Sequence, residues 1–482
     1  MAWKGALNKI DNDRWEIPEG TVKGMRTNAI LFASDKMISQ ITEDNAPEQA
    51  ANVACLPGIV GSSLAMPDIH WGYGFPIGGV AAVDASDGCI SPGGIGFDIN
   101  CGVRLIRTDL YKDDIKGKVN DITDELYRNI PSGLGSKGIE KMNASSIKEI
   151  LINGSKWAVE NGYGWECDLD VTEENGCMDE ADAIFVSEMA VKRGLGQVGS
   201  LGSGNHFIEL DVVDEIYDEK AAKVFGIEKS QITITVHCGS RGCGHQIATD
   251  HLQTMNQYIR KNSIELPDRQ LACAPLSSNE GSSYYKAMSC GANYAWANRQ
   301  MITHWVRGSF EKVMNTDAED MGMRMVYDVA HNIAKKEEHI VDGKRMDVLV
   351  HRKGATRAFP ADHNEIPMIY RNVGQPVIVP GDMSAGTYVL VGLPGAMEKS
   401  FGSSCHGAGR KMSRKAAANK LNVNDLRNSM KAKNIYLRTG DGDVVDEAPE
   451  AYKDVDTVVS VVCNSGLAGK VAKLRPLGVV KG

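Results

Sequence analysis

A chain of 482 residues with 42% hydrophobic and 24% charged residues has enough apolar material for a substantial core, which excludes a disordered or fibrous protein. Its 53 Lys and Arg against 62 Asp and Glu leave a net charge of -9, which excludes a protein that coats nucleic acid by bulk charge but not one with a local basic groove. No segment reaches the roughly 18 continuous apolar residues of a membrane span.

The opening MAWKGALNKIDNDRW predicts no signal peptide, and eleven cysteines, an odd number, predict a reducing, cytoplasmic setting. Length alone allows about three domains. The lack of Pro/Ser-rich linkers, low-complexity stretches and repeats favours one large domain over residues 1–482. Helices and strands interleave without a regular βα rhythm, so the predicted class is α+β with mixed sheets. Residues 1–50 read as a helical preamble, with polar helix formers from Asp35 to Ala51 and a break at Asn45-Ala46-Pro47. From Val53, short apolar runs alternate with Gly and Pro in VACLPGIVGSSLAMPDIHWGYGFPIGGVAAVD, predicting strands joined by tight turns.

Helical patterns follow over Lys112 to Asn129 and Ala144 to Gly162, separated by the glycine-rich PSGLGSKG. An insertion at 163–185 contains ECDLDVTEENGCMDEAD, which predicts an acidic, solvated surface loop. GQVGSLGSGNHFIELDVVDE reads as loop then strand. Gln231 to Val236 alternates with period two, places His237 at a strand end, and passes through a glycine-rich loop into a helix after Gly244. Helical periodicity covers Gly281 to Asn315. MRMVYDVAHNIAKKEEHIVDGKRMDVLVHRKG reads as strand, short helix, strand, and QPVIVPGDM and GTYVLVG add two more strands. In SFGSSCHGAGRKMSRKAAANKL a small-residue loop holding His406 runs into a basic helix.

The chain's chemistry is organised around SPGGIGFDINCGVRL. Asp98 and Cys101 lie three apart in a side-chain-poor loop, a spacing that a tight turn aims at one centre. His206, His237 and His331 stand at the edges of glycine-rich or strand-like segments. One carboxylate, one thiolate and three imidazoles hold two metal ions if the thiolate bridges. Any one of these histidines alone is more often a hydrogen-bonded structural residue. Their common placement at strand ends and turns argues for ligation, and ligand softness by itself favours zinc or iron. His406 is flanked by Ser403, Ser404, Gly407 and Gly409 and followed by Arg410, Lys411, Arg414 and Lys415. Such surroundings hold a phosphate through backbone N–H groups and cations and leave an imidazole nitrogen free to attack it. Cys405 is a weaker rival without a visible base. Basic residues in HRKGATRAF, from Arg410 to Lys420, and at Lys192, Arg193 and Arg241 suggest a groove for a polyanion.

Taken together and in order, GGIGFDINCGVRL, GSGNHFIEL, HCGSRGCGHQ, DVAHNIAK, HRKGATRAF, SFGSSCHGAGR and LRPLGVVKG resemble the RtcB family of RNA-splicing ligases nearly end to end. The resemblance implies a central cleft for metal and nucleotide. It implies joining of RNA ends bearing a 2′,3′-cyclic phosphate or 3′-phosphate to 5′-hydroxyl ends, with GTP and two manganese ions, in tRNA splicing and RNA repair. His406 becomes the residue that takes GMP from GTP. Asp98, Cys101, His206, His237 and His331 become manganese ligands with Cys101 as bridge, against the softness argument. The nucleotide falls to Asn205, His206, Phe207, Ile208, Glu209, His331, Asn332, Pro380, Gly381, Asp382, Met383, Thr387, His406, Gly407, Ala408, Gly409, Tyr452 and Lys481. Glu209 accepts from the guanine N1–H and N2–H2 donors, and Lys481 meets O6. Asp382 and Thr387 depart from the expected small hydroxyl turn, and a carboxylate there repels phosphates unless it faces the base or a metal. Arg241, Arg352, Lys353 and Arg357 are the candidates for the RNA backbone, and a small activator, archease, is an implied partner. A metal-dependent cyclic phosphodiesterase that opens cyclic phosphates without sealing, and a non-catalytic RNA-binding subunit, are the competing readings.

Overall fold

β-Branched residues recur through QITITVHC, and the strand they form, Gln231–Cys238, is buried along its whole length because sheet neighbours flank it on both edges and packed layers cover both faces. In the computed structural model, which describes residues 2–440 and 444–482, this strand lies inside an eight-stranded sheet. The order is Arg324–Ala330, Gly102–Tyr111, Gln231–Cys238, Phe207–Ile216, Ala468–Lys481, Thr387–Gly392 and Pro376–Pro380, with Tyr436–Thr439 joined parallel to the Ala468–Lys481 strand. The other pairings are antiparallel, so each strand end lies beside the start of its neighbour. Register makes this specific: Gly102 faces both Ala330 and Cys238, and Phe207 faces both His237 and Lys481. One end of the sheet therefore gathers His331, Cys101, His237, His206 and Lys481 in a row.

A seven-stranded sheet supplies the second wall. It includes Ala29–Phe32, Ile59–His70, Ile77–Asp84, Lys344–Lys353 and Asn332–Val341. The short pair Ala355–Arg357 and Ser403–Cys405 delivers His406 next to the end of the Ile59–His70 strand. Beneath the site runs the helix Asn279–Met314, capped by Ser278, whose hydroxyl accepts from Gly281 N–H at 3.0 Å. This helix is buried through its centre and carries Asn298, Arg299, Gln300 and Arg307 into the interior.

The predicted α+β class with mixed sheets holds. The 1–50 preamble does contain helices, Asp35–Ile41 and Ala46–Val53, the second opening on Pro47. It also contributes three strands that the helical reading missed. The predicted short helix after His331 is a strand, Asn332–Val341, and the helix expected after Gly244 already starts at Arg241. The acidic segment is not a uniformly solvated loop. Asp168 and Glu173 are buried, and the Asp168 carboxylate accepts two bonds from the Arg307 guanidinium at 2.7 Å each.

Candidate active site

The turn predicted between Asp98 and Cys101 is closed by the Cys101 N–H on the Asp98 carbonyl at 3.0 Å, with Asn100 at a φ of 51°. Asparagine is one of the few residues that adopts this left-handed geometry readily. The turn aims both side chains at the row of strand-end histidines. His206 Nε2 lies 2.9 Å from Asp98 Oδ2 and 3.5 Å from Cys101 Sγ; His237 Nε2 lies 3.2 Å from the same sulfur and 3.2 Å from His331 Nε2. These atoms form two donor triads, Asp98/Cys101/His206 and Cys101/His237/His331, each with its ligand atoms within 4.8 Å of one another and both sharing the thiol.

The donor set fits two cations. His206 Nδ1 lies 2.9 Å from the Leu201 carbonyl, which fixes a proton there; burial opposes protonation of the ring, but the negative groups Cys238, Cys101 and Asp98 outweigh it and push His206 well above the ordinary range, so Nε2 must shed its proton to ligate. Burial, then neighbouring positive groups, hold His237 and His331 well below the ordinary histidine range, so both are neutral imidazoles. Two such nitrogens facing each other at close range are matched by a shared cation. Burial opposes ionisation of Asp98, but the charge and hydrogen bond of His206 outweigh it and take the carboxyl down to about 2. Burial and the Asp98 charge push the Cys101 thiol up to about 12, so it must shed a proton to ligate.

Arg299 holds this cluster from below. Its guanidinium is fully buried and donates to Asp328 through Nε and Nη2 at 2.8 Å each, to the Asn100 carbonyl at 2.8 Å and to the Cys238 carbonyl at 2.9 Å. One side chain thus ties together the turn before Cys101, the strand end after His237 and the strand leading to His331. Gly239 completes the fit, because a Cβ there would stand 2.4 Å from both Asp98 carboxylate oxygens.

His406 lies against this cluster, its ring centroid 4.9 Å from that of His331. Asp68 sets its orientation: the carboxylate accepts from His406 Nδ1–H at 2.6 Å and from the His406 backbone N–H at 3.0 Å, across 338 residues of sequence. Nε2 is thereby left as the free nitrogen. Lys453 in turn donates to the carbonyls of Pro67, at 3.2 Å, and Ile69, on either side of Asp68, while its own N–H meets the Gly409 carbonyl at 2.9 Å. Gly409 passes so close that an added Cβ would sit 2.1 Å from the Asp68 carbonyl, at a φ of 72° that glycine alone adopts freely. The loop holding His406 runs, as expected, into a basic helix, Arg414–Lys420, which begins eight residues after the imidazole. Cys405 is fully buried and its thiol is pushed well up, which removes it as a nucleophile.

A single cavity of about 280 Å³ joins the metal cluster, His406 and Lys481. Asn205, Phe207, Glu209, Asn332, Pro380, Gly381, Asp382, Met383, Gly407, Ala408, Gly409 and Tyr452 line it with Asp98, Cys101, His237 and His331 of the two donor triads. Ile208 points to the opposite face, into the core, as strand alternation requires of a residue between Phe207 and Glu209. Thr387 is buried in a strand between Pro380 and Leu474 and is absent from the lining, so it departs from its expected place. Asp382 accepts from Ser384 N–H and Oγ–H at 2.8 Å each, so its carboxylate is used by its own turn. Burial drives the Glu209 carboxyl well up, with Asp211 adding to the effect and Lys481 opposing it.

Three of the four residues expected on the RNA backbone are elsewhere. Arg352 and Arg357 are buried against Glu337 and against Glu173, Glu174 and Glu365, and Lys353 donates to the carbonyls of Phe75 and Gly93. Arg241 remains beside Asp98, its guanidinium donating to Ser200 and Ser136 at 3.4 and 3.3 Å. Sequence reasoning missed Asp68, Glu447 and His70, all at the cavity or one contact behind it. Glu447 receives Arg410 at 3.0 Å, Tyr452 through its hydroxyl, and Lys481 at 3.7 Å.

The sequence model of the family described as tRNA-splicing ligase RtcB matches residues 49–482. Proteins named tRNA-splicing ligase RtcB from Thermococcus kodakarensis and Archaeoglobus fulgidus are 55% identical over 477 residues and 53% identical over 483 residues. These alignments cover 99% of this chain and 99% of the first protein, and 100% of both chains for the second. One of the same name from Methanococcus maripaludis is 53% identical over 480 residues, 99% of this chain and 100% of that protein. With the two triads, His406 and Lys481 meeting in one cavity, and with similarity of this extent, the chain belongs to the RtcB family.

Proposed function

We propose that this protein is a GTP- and manganese-dependent RNA ligase that joins 2′,3′-cyclic phosphate or 3′-phosphate ends to 5′-hydroxyl ends through GMP carried on His406, acting in the cytoplasm in tRNA splicing and RNA repair. The observation that carries this reading is His406 itself: an imidazole with Nδ1 held by a buried carboxylate and its ring packed on a metal-type donor cluster. A metal-dependent cyclic phosphodiesterase would need the donor cluster but has no use for His406 or Lys481, and a non-catalytic RNA-binding subunit has no use for either.

Asp98 and His206 would hold one manganese ion, His237 and His331 the other, with Cys101 between them. Bound there, the ions would orient phosphate oxygens, lower the pKa of an attacking group and offset charge on a leaving oxygen. The protein's own groups do the rest. Glu209 and Lys481 stand on the same face of adjacent strands, both line the cavity, and suit the donor edge and O6 of guanine. Asp68 keeps the His406 proton on Nδ1, so the Nε2 lone pair attacks the α-phosphorus. The bond to the β-phosphate oxygen breaks and pyrophosphate leaves. An opened RNA 3′-phosphate then takes GMP from Nε2, and the 5′-hydroxyl displaces GMP to form the phosphodiester. Arg241 suits the RNA backbone near Asp98. An archease-type activator fits this reading as a partner.

The test is incubation with α-labelled GTP and manganese. Label on the protein that survives alkali, is lost in acid and is absent from His406→Ala supports the reading. Label persisting in that variant defeats it.

A further inference from the structure

We infer that a second cavity, beside the active site, seats a nucleobase of the RNA strand carrying the 3′-phosphate, stacked on Trp71. The inference rests on the ligase reading above. Trp71 is 58% exposed, yet its backbone is fixed. Its N–H donates to Asp44 Oδ2 at 2.9 Å, and the following Gly72 exchanges two bonds with the Gln49 amide at 3.0 and 2.7 Å. A large indole held open to water by a pinned main chain is a preformed flat surface, because stacking on it orders little else.

The cavity it borders has a volume of about 630 Å³, within the about 300–1,000 Å³ range of sites that hold small-molecule-sized groups. Its walls differ in charge. Arg410, Lys411 and Arg414 come from the segment after His406, with Arg410 and Arg414 also paired to Glu447, and Glu43 and Asp44 come from the turn after the Asp35–Ile41 helix. A phosphodiester is drawn to the first wall and repelled from the second, which leaves the base over the indole. His70, Arg410 and Arg414 line both cavities, and the Arg410 N–H meets His70 Nδ1 at 3.4 Å, so the two spaces adjoin across a shared wall. None of the metal ligands borders the second space. It opens on the Asp68–His406 side, where the strand that receives GMP must present its 3′-phosphate. Arg241, by contrast, lies on the Asp98 side.

The experiment uses the full chain with manganese and GTP, wild type against Trp71→Ala and Trp71→Phe. Two oligoribonucleotides are compared: one with a 3′-phosphate and a blocked 5′ end, one with a 5′-hydroxyl and no 3′-phosphate. The expected result is that Trp71→Ala raises the concentration of the 3′-phosphate strand needed for half-maximal GMP transfer about tenfold. The maximal rate and the response to the 5′-hydroxyl strand stay near wild type, and Trp71→Phe restores most of the loss. An unchanged half-maximal concentration, or a loss confined to the 5′-hydroxyl strand, overturns the assignment. Should Trp71→Ala fail to fold, tryptophan fluorescence decides: the 3′-phosphate strand must quench wild type more than Trp71→Phe, and equal quenching overturns the proposal. A wild-type protein that takes no label from GTP defeats the ligase reading; one that labels and caps RNA irrespective of residue 71 defeats only this site.

Discussion

The two walls of the active cavity are built by different means. The metal wall is a consequence of strand register: Cys101, His206, His237 and His331 adjoin the aligned ends of neighbouring antiparallel strands, and Arg299 bolts three of those ends to Asp328. The His406 wall has no such ladder behind it. His406 sits just past a three-residue strand and is oriented by side chains reaching across the fold, Asp68 to the ring and Lys453 to the backbone around Asp68. The metal wall therefore ties geometry to global stability, whereas the His406 wall ties geometry to a few hydrogen bonds. Lesions in the first should cost stability along with function. Lesions in the second should cost chemistry while the fold survives.

The comparison breaks most sharply at His406 itself. His406→Ala should abolish covalent labelling from α-labelled GTP while leaving thermal unfolding near wild type; a large fall in melting temperature would contradict the division. Next comes Asp68→Asn, which keeps the shape but no longer holds the proton on Nδ1 as a carboxylate does. The labelling rate should drop by about 10²- to 10⁴-fold at saturating GTP, with little change in denaturant midpoint. On the other wall, Arg299→Met leaves Asp328 buried with only Arg104 for compensation, and should cost about 3–5 kcal/mol in a urea titration. A variant that unfolds with the wild-type midpoint would show that the strand ends do not depend on that guanidinium.

A smaller effect concerns protons on the metal wall. Because Cys101 is held up to about 12, metal loading releases a proton, so apparent manganese affinity should rise with pH, by about tenfold per unit for one proton. Calorimetry in buffers of different ionisation enthalpy measures the release, and Cys101→Ser should weaken it. The smallest effect is expected at Lys453, where Lys453→Met removes one of several constraints on Asp68. A several-fold fall in labelling rate, recovered in part by Lys453→Arg, separates positioning from simple loss of packing.

Much of the site was legible from residue type and place. Asp98, Cys101 and the three histidines stood out because glycine-rich turns and strand ends bring backbone and ligands close, and those same positions converge in space. Asp68 was not legible: in MPDIHWG nothing local distinguishes it, and its meaning comes from a contact 338 residues away. The strand Asn332–Val341 was misread because its inward face is polar. Lys335, Glu337 and His339 are buried while Lys336, Glu338 and Ile340 are exposed, so period-two burial is present but inverted in hydrophobicity. Two charge readings failed together for one reason. The acidic stretch was expected in solvent and the basic HRKGATR on RNA, yet Glu173 and Glu174 are the partners of Lys335 and Arg357. Each neutralises the other in the interior, where neither charge is stable alone.

By itself, then, the sequence determined which atoms are available for chemistry and where strands of regular apolar alternation such as Gln231–Cys238 form, since both follow from side-chain type and local periodicity. Only the tertiary structure decided which charges face solvent, which carboxylate governs His406, and that Thr387 is absent from the cavity lining. Those outcomes depend on pairing between distant strands and on the cost of burying an uncompensated charge, and neither is encoded in any one stretch of the chain.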